Sequence, residues 1–357
     1  MDRMRIAMLA PPWIPVPAPA YGGIEEVVRL LCVGLTARGH DVTLFAPPGS
    51  DSCAHVVPVL EAPHPDEIQK AQFEADHVAR AFDVIDEAAG NGDPFDVIHD
   101  HTGHTALAMA DRVAAPLVHT LHGPFSDDAT RFYARHGSKA HIVAISEAQL
   151  RGAPPEMGGG SVVHNPIDCS EWPFRADKED FLLWIGRMSP DKGPHRAIAA
   201  AREAGAPLVL AGPVQPGQDE FFAREVEPGL GDGIEYVGEA DAERKRDLYL
   251  RARALLMPIR WPEPFGLVMV EAAACGTPVI AFPEGSAPEV VRDGQTGFVV
   301  EDEHAMAAAV GRLGEIDPED CRRACEERFG VPAVVARYED VYRAAMTHRA
   351  GRDSVLG

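Results

Sequence analysis

The sequence predicts an α/β protein made of two consecutive parallel sheets, each covered by helices. Three observations carry this expectation. Short apolar runs of strand length alternate with helical periodicity from the first residues to about Val300, the βαβ pattern of parallel sheets. The alternation pauses once, between His164 and Asp180, where Pro, Asp and Trp replace periodic segments, and then resumes. At 357 residues the chain is too long for most single cores, and two domains of about 150–190 residues are expected.

Taken in order, Arg3–Ala10 is an apolar run of strand length, followed by a loop of Pro, Ala and Gly that ends Tyr21-Gly22-Gly23. Ile24, Val27, Val28, Leu31 and Leu35 then fall at helical spacing, and Gly39 closes that helix. Asp41–Ala46 is the next strand, which completes an opening βαβ unit. Further strands are expected at Ala54–Leu60, Phe95–His99, Pro116–Thr120, Ala140–Ile145 and Val162–Val163, with Asp66–Ala89 helical between them. After the crossing, strands are expected at Phe181–Gly186, Pro207–Ala211, Ile234–Val237, Ala254–Met257, Pro278–Ala281 and Phe298–Val300. Helices over Pro318–Arg328 and Pro332–Met346 close the chain, and the polar tail from Thr347 is expected to be loose. Two Rossmann-like domains in tandem follow, 1–168 and 169–331, with a closing helix and tail over 332–357. Ligands of such sheets bind outside the carboxyl ends of the strands, so the cleft between the domains is the default site.

A formal net charge of −22 argues against nucleic acid and against broad attraction to anionic membranes, without excluding a local basic pocket. No apolar run approaches the length that spans a bilayer, and no secretory leader pattern precedes the first strand, so a cytoplasmic location is expected. The six cysteines contain no C-x-x-C pair and are read as structural, reduced thiols.

The chemistry concentrates between Pro258 and Ala281. A strand ends, a Pro-rich loop carries Glu263-Pro264-Phe265-Gly266-Leu267, and a helix follows with Glu271 inside it. The bare N–H groups of a helix start suit an anionic ligand centre. Glu271 lies about 7 Å further along the helix axis at 1.5 Å per residue. Two carboxylates flanking an anion site match a nucleotide sugar, one meeting the sugar and the other the ribose. Gly186-Arg187-Met188-Ser189-Pro190-Asp191-Lys192-Gly193 sits where another strand hands over to a helix, and Arg187 and Lys192 can bring two positive charges to a diphosphate.

These segments resemble family 4 glycosyltransferases, retaining enzymes of the GT-B fold. The resemblance is carried by Tyr21-Gly22-Gly23, Gly39-His40-Asp41-Val42, His122-Gly123, Gly186-Arg187…Lys192-Gly193 and Glu263-Pro264-Phe265-Gly266…Glu271-Ala272…Gly276-Thr277-Pro278-Val279-Ile280. It implies that Arg187 and Lys192 bind the donor diphosphate, Glu263 the hydroxyls of the transferred sugar, and Glu271 the ribose. It implies that backbone N–H groups at Phe265, Gly266 and Leu267 receive donor oxygens, and that Gly22 and Gly23 let the first-domain loop approach the donor. His122 would stand near the sugar, with Glu263, Arg187 and Lys192 as the other catalytic groups, and the last helix would return to the first domain. The family needs no metal, and no Asp-x-Asp motif here demands one. The implied reaction moves a hexose from a nucleoside-diphosphate sugar, most commonly a UDP-sugar, to an acceptor hydroxyl with retention.

His99-Asp100-His101 invites a metal reading, but no further ligand follows at a recognisable spacing. Asp100 or His101 lines an acceptor pocket or serves structure, and Trp13, Tyr133 and Trp261 stack on an acceptor or pack; both readings stay open. The acidic Asp66–Ala89 stretch is no basic amphipathic membrane helix, which favours a soluble small-molecule acceptor, a glycan remaining an alternative. A nucleotide-sugar epimerase or sugar phosphorylase on the same scaffold is the nearest rival. An NAD-dependent oxidoreductase lacks its G-x-G-x-x-G loop here, and a non-catalytic sugar-binding protein sits poorly with four intact charged positions.

Overall fold

The computed structural model describes residues 3–19, 22–68 and 70–356, with side chains through Thr347. The chain forms two compact units. Residues 1–166 rejoin 331–357 in the first, and 167–330 make the second.

In the first unit, strands β1 (Arg5–Leu9), β2 (Asp41–Phe45), β3 (His55–Val57), β4 (Val97–Asp100), β5 (Leu117–Thr120), β6 (His141–Ala144) and β7 (Ser161–Val162) form one parallel sheet, ordered 3-2-1-4-5-6-7. Ile6, Ala7, Met8 and Leu9 have no exposed surface, as expected of a central strand covered on both faces. The strand order reverses between β1 and β4, so the ends of β4 and β5 flank the switch point where such sheets take ligands. β3 is shorter than Ala54–Leu60 because Pro58 has no N–H to extend the ladder.

Helix α1 (Gly23–Ala37) buries Val27, Val28, Leu31 and Leu35. The helix expected over Asp66–Ala89 divides into a 3-10 turn, Pro65–Glu67, and α2 (Ala71–Gly90). Ile68 is extended and 55% exposed, whereas the buried stripe of α2 begins only at His77 and Val78. With no apolar partner ahead of that stripe, the acidic first turn is not drawn into the helix.

The crossing to the second unit falls at Pro166–Ile167, two residues before the expected boundary. Ile167 N–H donates to the Phe329 carbonyl at 2.9 Å and Ile167 pairs with Gly330, which fastens the outgoing and returning strands of chain side by side. The second sheet is also parallel. Its strands β8 (Leu182–Ile185), β9 (Leu208–Ala211), β10 (Ile234–Tyr236), β11 (Ala254–Met257), β12 (Val279–Ala281) and β13 (Gly297–Val299) run in the order 10-9-8-11-12-13. Its site-bearing helices are α3 (Pro194–Ala204), α4 (Ala242–Arg251) and α5 (Leu267–Ala274), and α6 (Pro318–Phe329) ends the unit. The Lys178 ammonium donates to the carbonyls of Leu250 (3.0 Å) and Cys275 (2.8 Å) and to the Thr277 hydroxyl (2.9 Å), which satisfies the carboxyl ends of α4 and α5. Burial pushes this amine down to about 8.

The last helix, α7 (Val331–Leu356), packs within the first unit and runs ten residues past Met346, through the stretch expected to be loose, because no proline interrupts it. A Cβ on Gly34 of α1 would meet Val335 and Val331 of α7 at 2.5 and 2.6 Å, so glycine sets the approach of these two helices. Glu339 of α7, only 1% exposed, receives Arg38 Nε and Nη2 at 2.6 and 2.7 Å and His40 Nε2 at 2.9 Å. His40 Nδ1 accepts from the Met4 amide at 3.1 Å, so the proton of its neutral ring lies on Nε2. All six cysteines are unpaired, and only Cys53 is exposed. No helix among the described residues is long and apolar enough to cross a membrane.

Candidate active site

The second unit gathers the charged residues singled out above at the carboxyl ends of β8 and β11. The loop after β8 and the loop after β11 are tied by backbone: Arg260 N–H donates to the Asp191 carbonyl at 3.0 Å, and Arg196 Nη1 reaches the carbonyls of both Pro190 and Pro258 at 3.1 Å. This brings Lys192 onto Glu263. The Lys192 ammonium contacts Glu263 Oε2, lies 4.6 Å over the Trp261 ring, and shares that oxygen with the Trp261 indole N–H at 2.9 Å. Glu263 Oε1 has no partner among the described residues, so one carboxylate oxygen is held and the other is available. Arg187 is exposed, and its guanidinium has no ion-pair or hydrogen-bond partner among the described residues, the Ser189 amide donating only to its backbone carbonyl at 2.8 Å.

Gly266 precedes α5 at φ +75°, a conformation glycine tolerates and other residues resist, and it turns the chain so that the helix starts directly after the Glu263 loop. The loop is clamped from behind. Ser286, fully buried, donates its N–H to the Glu263 carbonyl (3.0 Å) and its hydroxyl to the Phe265 carbonyl (2.7 Å). The preceding Gly285, at φ +55°, lies where any Cβ would clash with the Glu263 backbone. Phe265 is buried against Phe329 at 5.7 Å between ring centroids. Along α5, Glu271 receives Lys245 Nζ on Oε1 (2.8 Å) and the Tyr249 hydroxyl on Oε2 (3.0 Å). Sequence reasoning named Trp261 only as an acceptor stack or a packing residue, not as a partner of Glu263 and Lys192, and it missed Ser286, Lys245 and Tyr249. Only the last pair carried a signal, a spacing of four that puts both on one face of α4.

In the first unit, β4 and β5 end in a buried cluster of histidines. His99 Nδ1 meets the Tyr342 hydroxyl at 2.7 Å and its Nε2 the Thr120 hydroxyl at 2.8 Å, with Tyr338 a further 3.1 Å beyond Thr120. His101 Nδ1 lies 2.9 Å from His122 Nε2. Burial, with neighbouring imidazoles, pushes His99 and His101 well below the ordinary histidine range and His122 to about 3. Gln149 steadies this segment by donating to the Gly123 carbonyl at 2.8 Å, a contact the sequence does not signal.

Two expectations need correction here: neither Asp100 nor His101, both without exposed surface, lines an open pocket. Asp100 Oδ2 meets His119 Nδ1 at 2.5 Å, and its Oδ1 accepts from the Thr102 amide (3.0 Å) and hydroxyl (2.7 Å). At Gly22 a Cβ would collide with Ala18 and crowd Glu25 and Ile14, so its own loop needs glycine there. Gly23 is the first residue of α1 and Trp13 is half-buried, while Tyr21 lies outside the described residues. Among the described residues, no three His, Cys, Asp or Glu side chains are placed to share a metal ion.

Residues 21–171 match the glycosyltransferase family 4 description, and residues 171–328 match glycosyl transferases group 1. The chain belongs to the family 4 glycosyltransferases. This glycosyltransferase is 29% identical to the glycogen synthase of Mycobacterium tuberculosis (strain ATCC 25618 / H37Rv), over 96% of this chain and 95% of that protein. It is 28% identical to the D-inositol 3-phosphate glycosyltransferase of Streptomyces scabiei (strain 87.22), over 98% and 93% of the two chains. Among solved structures it is similar to AviGT4, a glycosyltransferase involved in avilamycin A biosynthesis, with a TM-score of 0.71 and 28% identity over 96% and 98% of the chains. The two parallel α/β units of the glycosyltransferase are those of the GT-B fold.

Proposed function

We propose that this glycosyltransferase moves a hexose from a nucleoside-diphosphate sugar, with uridine as the base, to a hydroxyl of a soluble small molecule, retaining the anomeric configuration and needing no metal. The observation that carries the reading is the Glu263 arrangement, a carboxylate with one oxygen held by Lys192 and Trp261 and the other unpartnered, beside a helix start and an unpaired Arg187.

Breaking the anomeric C–O bond builds negative charge on the departing diphosphate and positive charge on the sugar. Arg187 and Lys192 answer the first charge, and the α5 amides add donors already oriented before reaction. Lys192 has three N–H donors, so it can keep Glu263 while meeting a phosphate oxygen. Glu263 Oε1 accepts from sugar hydroxyls. Its partner oxygen, engaged by Lys192 and Trp261, makes the carboxylate a poor nucleophile, which favours same-face attack with a phosphate oxygen taking the acceptor proton. Glu271, held by Lys245 and Tyr249, retains lone pairs for two ribose hydroxyls.

The test is transfer from UDP-hexose in EDTA, with the anomeric configuration of the product read by NMR and acceptor-free controls alongside. A retained linkage at full rate in EDTA is expected. An inverted linkage, activity restored only by Mn²⁺ or Mg²⁺, or an epimerised nucleotide sugar without acceptor would each overturn the corresponding part of the proposal.

A further inference from the structure

His122 owes its chemical character to a neighbour. We propose that His101 is a positioning residue that fixes the His122 imidazole as its Nδ1–H tautomer, so that His122 presents a hydrogen-bond donor to the sugar and not a base. The inference rests on reading His122 as the residue that faces the donor sugar.

His101 has no exposed surface, and its Nδ1 lies 2.9 Å from His122 Nε2. One proton sits between these two nitrogens, because each neutral imidazole carries a single N–H and a single lone pair. The other nitrogen of His101, Nε2, is buried with no partner. Were the shared proton on His122, the proton of His101 would sit on that Nε2 as a buried donor without an acceptor, the rarer and costlier orphan. With the proton on His101 Nδ1, the orphan is only a lone pair. His122 then accepts at Nε2 and must carry its own proton at Nδ1. That atom has no partner among the described residues, and His122 as a whole residue is half-buried.

The arrangement is braced on both sides. The His101 ring lies 4.1 Å from that of His99, itself pinned by Tyr342 and Thr120, and Gln149 holds the backbone just after His122. Burial and the crowding of imidazoles keep both rings neutral, so neither stores the acceptor proton near neutral pH. That proton must leave by another route, in keeping with transfer to a departing phosphate oxygen.

The experiment uses the full chain labelled with ¹⁵N-histidine. Two-bond ¹H–¹⁵N correlations report each tautomer, and the His122→Gln spectrum assigns the signal. The Nδ1–H form is expected for His122 from pH 5 to 8. His101→Leu should release it to the Nε2–H form and lower kcat about tenfold, the effect of one misdirected hydrogen bond, with donor KM unchanged. His101→Asn, whose amide can donate in place of Nδ1, should restore both. An Nε2–H or imidazolium form in the wild type overturns the proposal, as does a His101→Leu protein that keeps both tautomer and rate. If the tautomer results hold but no nucleotide sugar is turned over, the role of His101 stands and the reading of the sugar site fails.

Discussion

Replacing Glu339 by Gln removes a buried charge that joins the last helix to the end of α1, and its cost can be worked out from the contacts. The Glu339 carboxylate is 1% exposed and is gripped by Arg38 and His40, which, led by the Arg38 hydrogen bonds, hold it down at about 2. A fall from the usual 4.5, at about 1.4 kcal/mol per tenfold in proton affinity, makes the pairing worth about 3 kcal/mol above pH 5. Arg38 is 31% exposed, and solvent screening lowers this to about 2–3 kcal/mol. Because the folded carboxyl binds protons more weakly than the unfolded one, this stability is present above about pH 4.5 and is lost as pH falls towards 2. At pH 3 less than half remains, about 1.4 kcal/mol before screening. Urea unfolding of wild type and Glu339→Gln at pH 7, 4.5 and 3, followed through the transition of the first unit, should show a gap that narrows at the lowest pH. A gap independent of pH, or one below about 0.5 kcal/mol at pH 7, would refute the reasoning.

The other predictions address the second unit. Lys192→Ala and Glu271→Ala should weaken nucleoside-diphosphate binding about tenfold or more each, measured by calorimetry, because each removes a group assigned to the donor in the proposed function. Glu263→Ala should instead lower kcat with donor affinity little changed, and wild-type turnover in all three variants would defeat the site assignment. Lys178→Met should destabilise the second unit by about 2–4 kcal/mol, seen in its melting transition, since the helix-end carbonyls of Leu250 and Cys275 lose their donor. A melting curve like that of the wild type would show that water replaces the amine without loss.

Much of the second unit was legible from local patterns. Glu263, Gly266 and Glu271 lie on one strand–loop–helix segment, and Arg187 and Lys192 on another, so their placement follows from where β11 and β8 end. Their partners were not legible, because contacts such as Lys192 with Glu263 or Lys245 with Glu271 depend on how separate segments pack. The first unit shows the limit more sharply. His99 and Tyr342 are 243 positions apart, and no periodicity in either segment announces their bond. Asp100 looked available because it ends a strand, yet His119 and Thr102 draw it inward. The turn at Ile68 was hidden because Asp66–Ala89 has helical composition throughout, and only the position of the buried stripe decides where α2 begins.

The path of the chain imposes an order on its synthesis. The second unit is an insertion in the first: the ribosome completes residues 167–330 before it makes any of α7. Until those final residues emerge, Arg38 and His40 lack Glu339, His99 lacks Tyr342, and the close-packed face of α1 at Gly34 stays uncovered. The second unit is therefore complete in sequence while the first-made half of the protein still waits for the last-made helix. A stop codon in place of Val331 would leave the whole second unit attached to an incomplete first one, and that released chain should resist proteolysis only over 167–330.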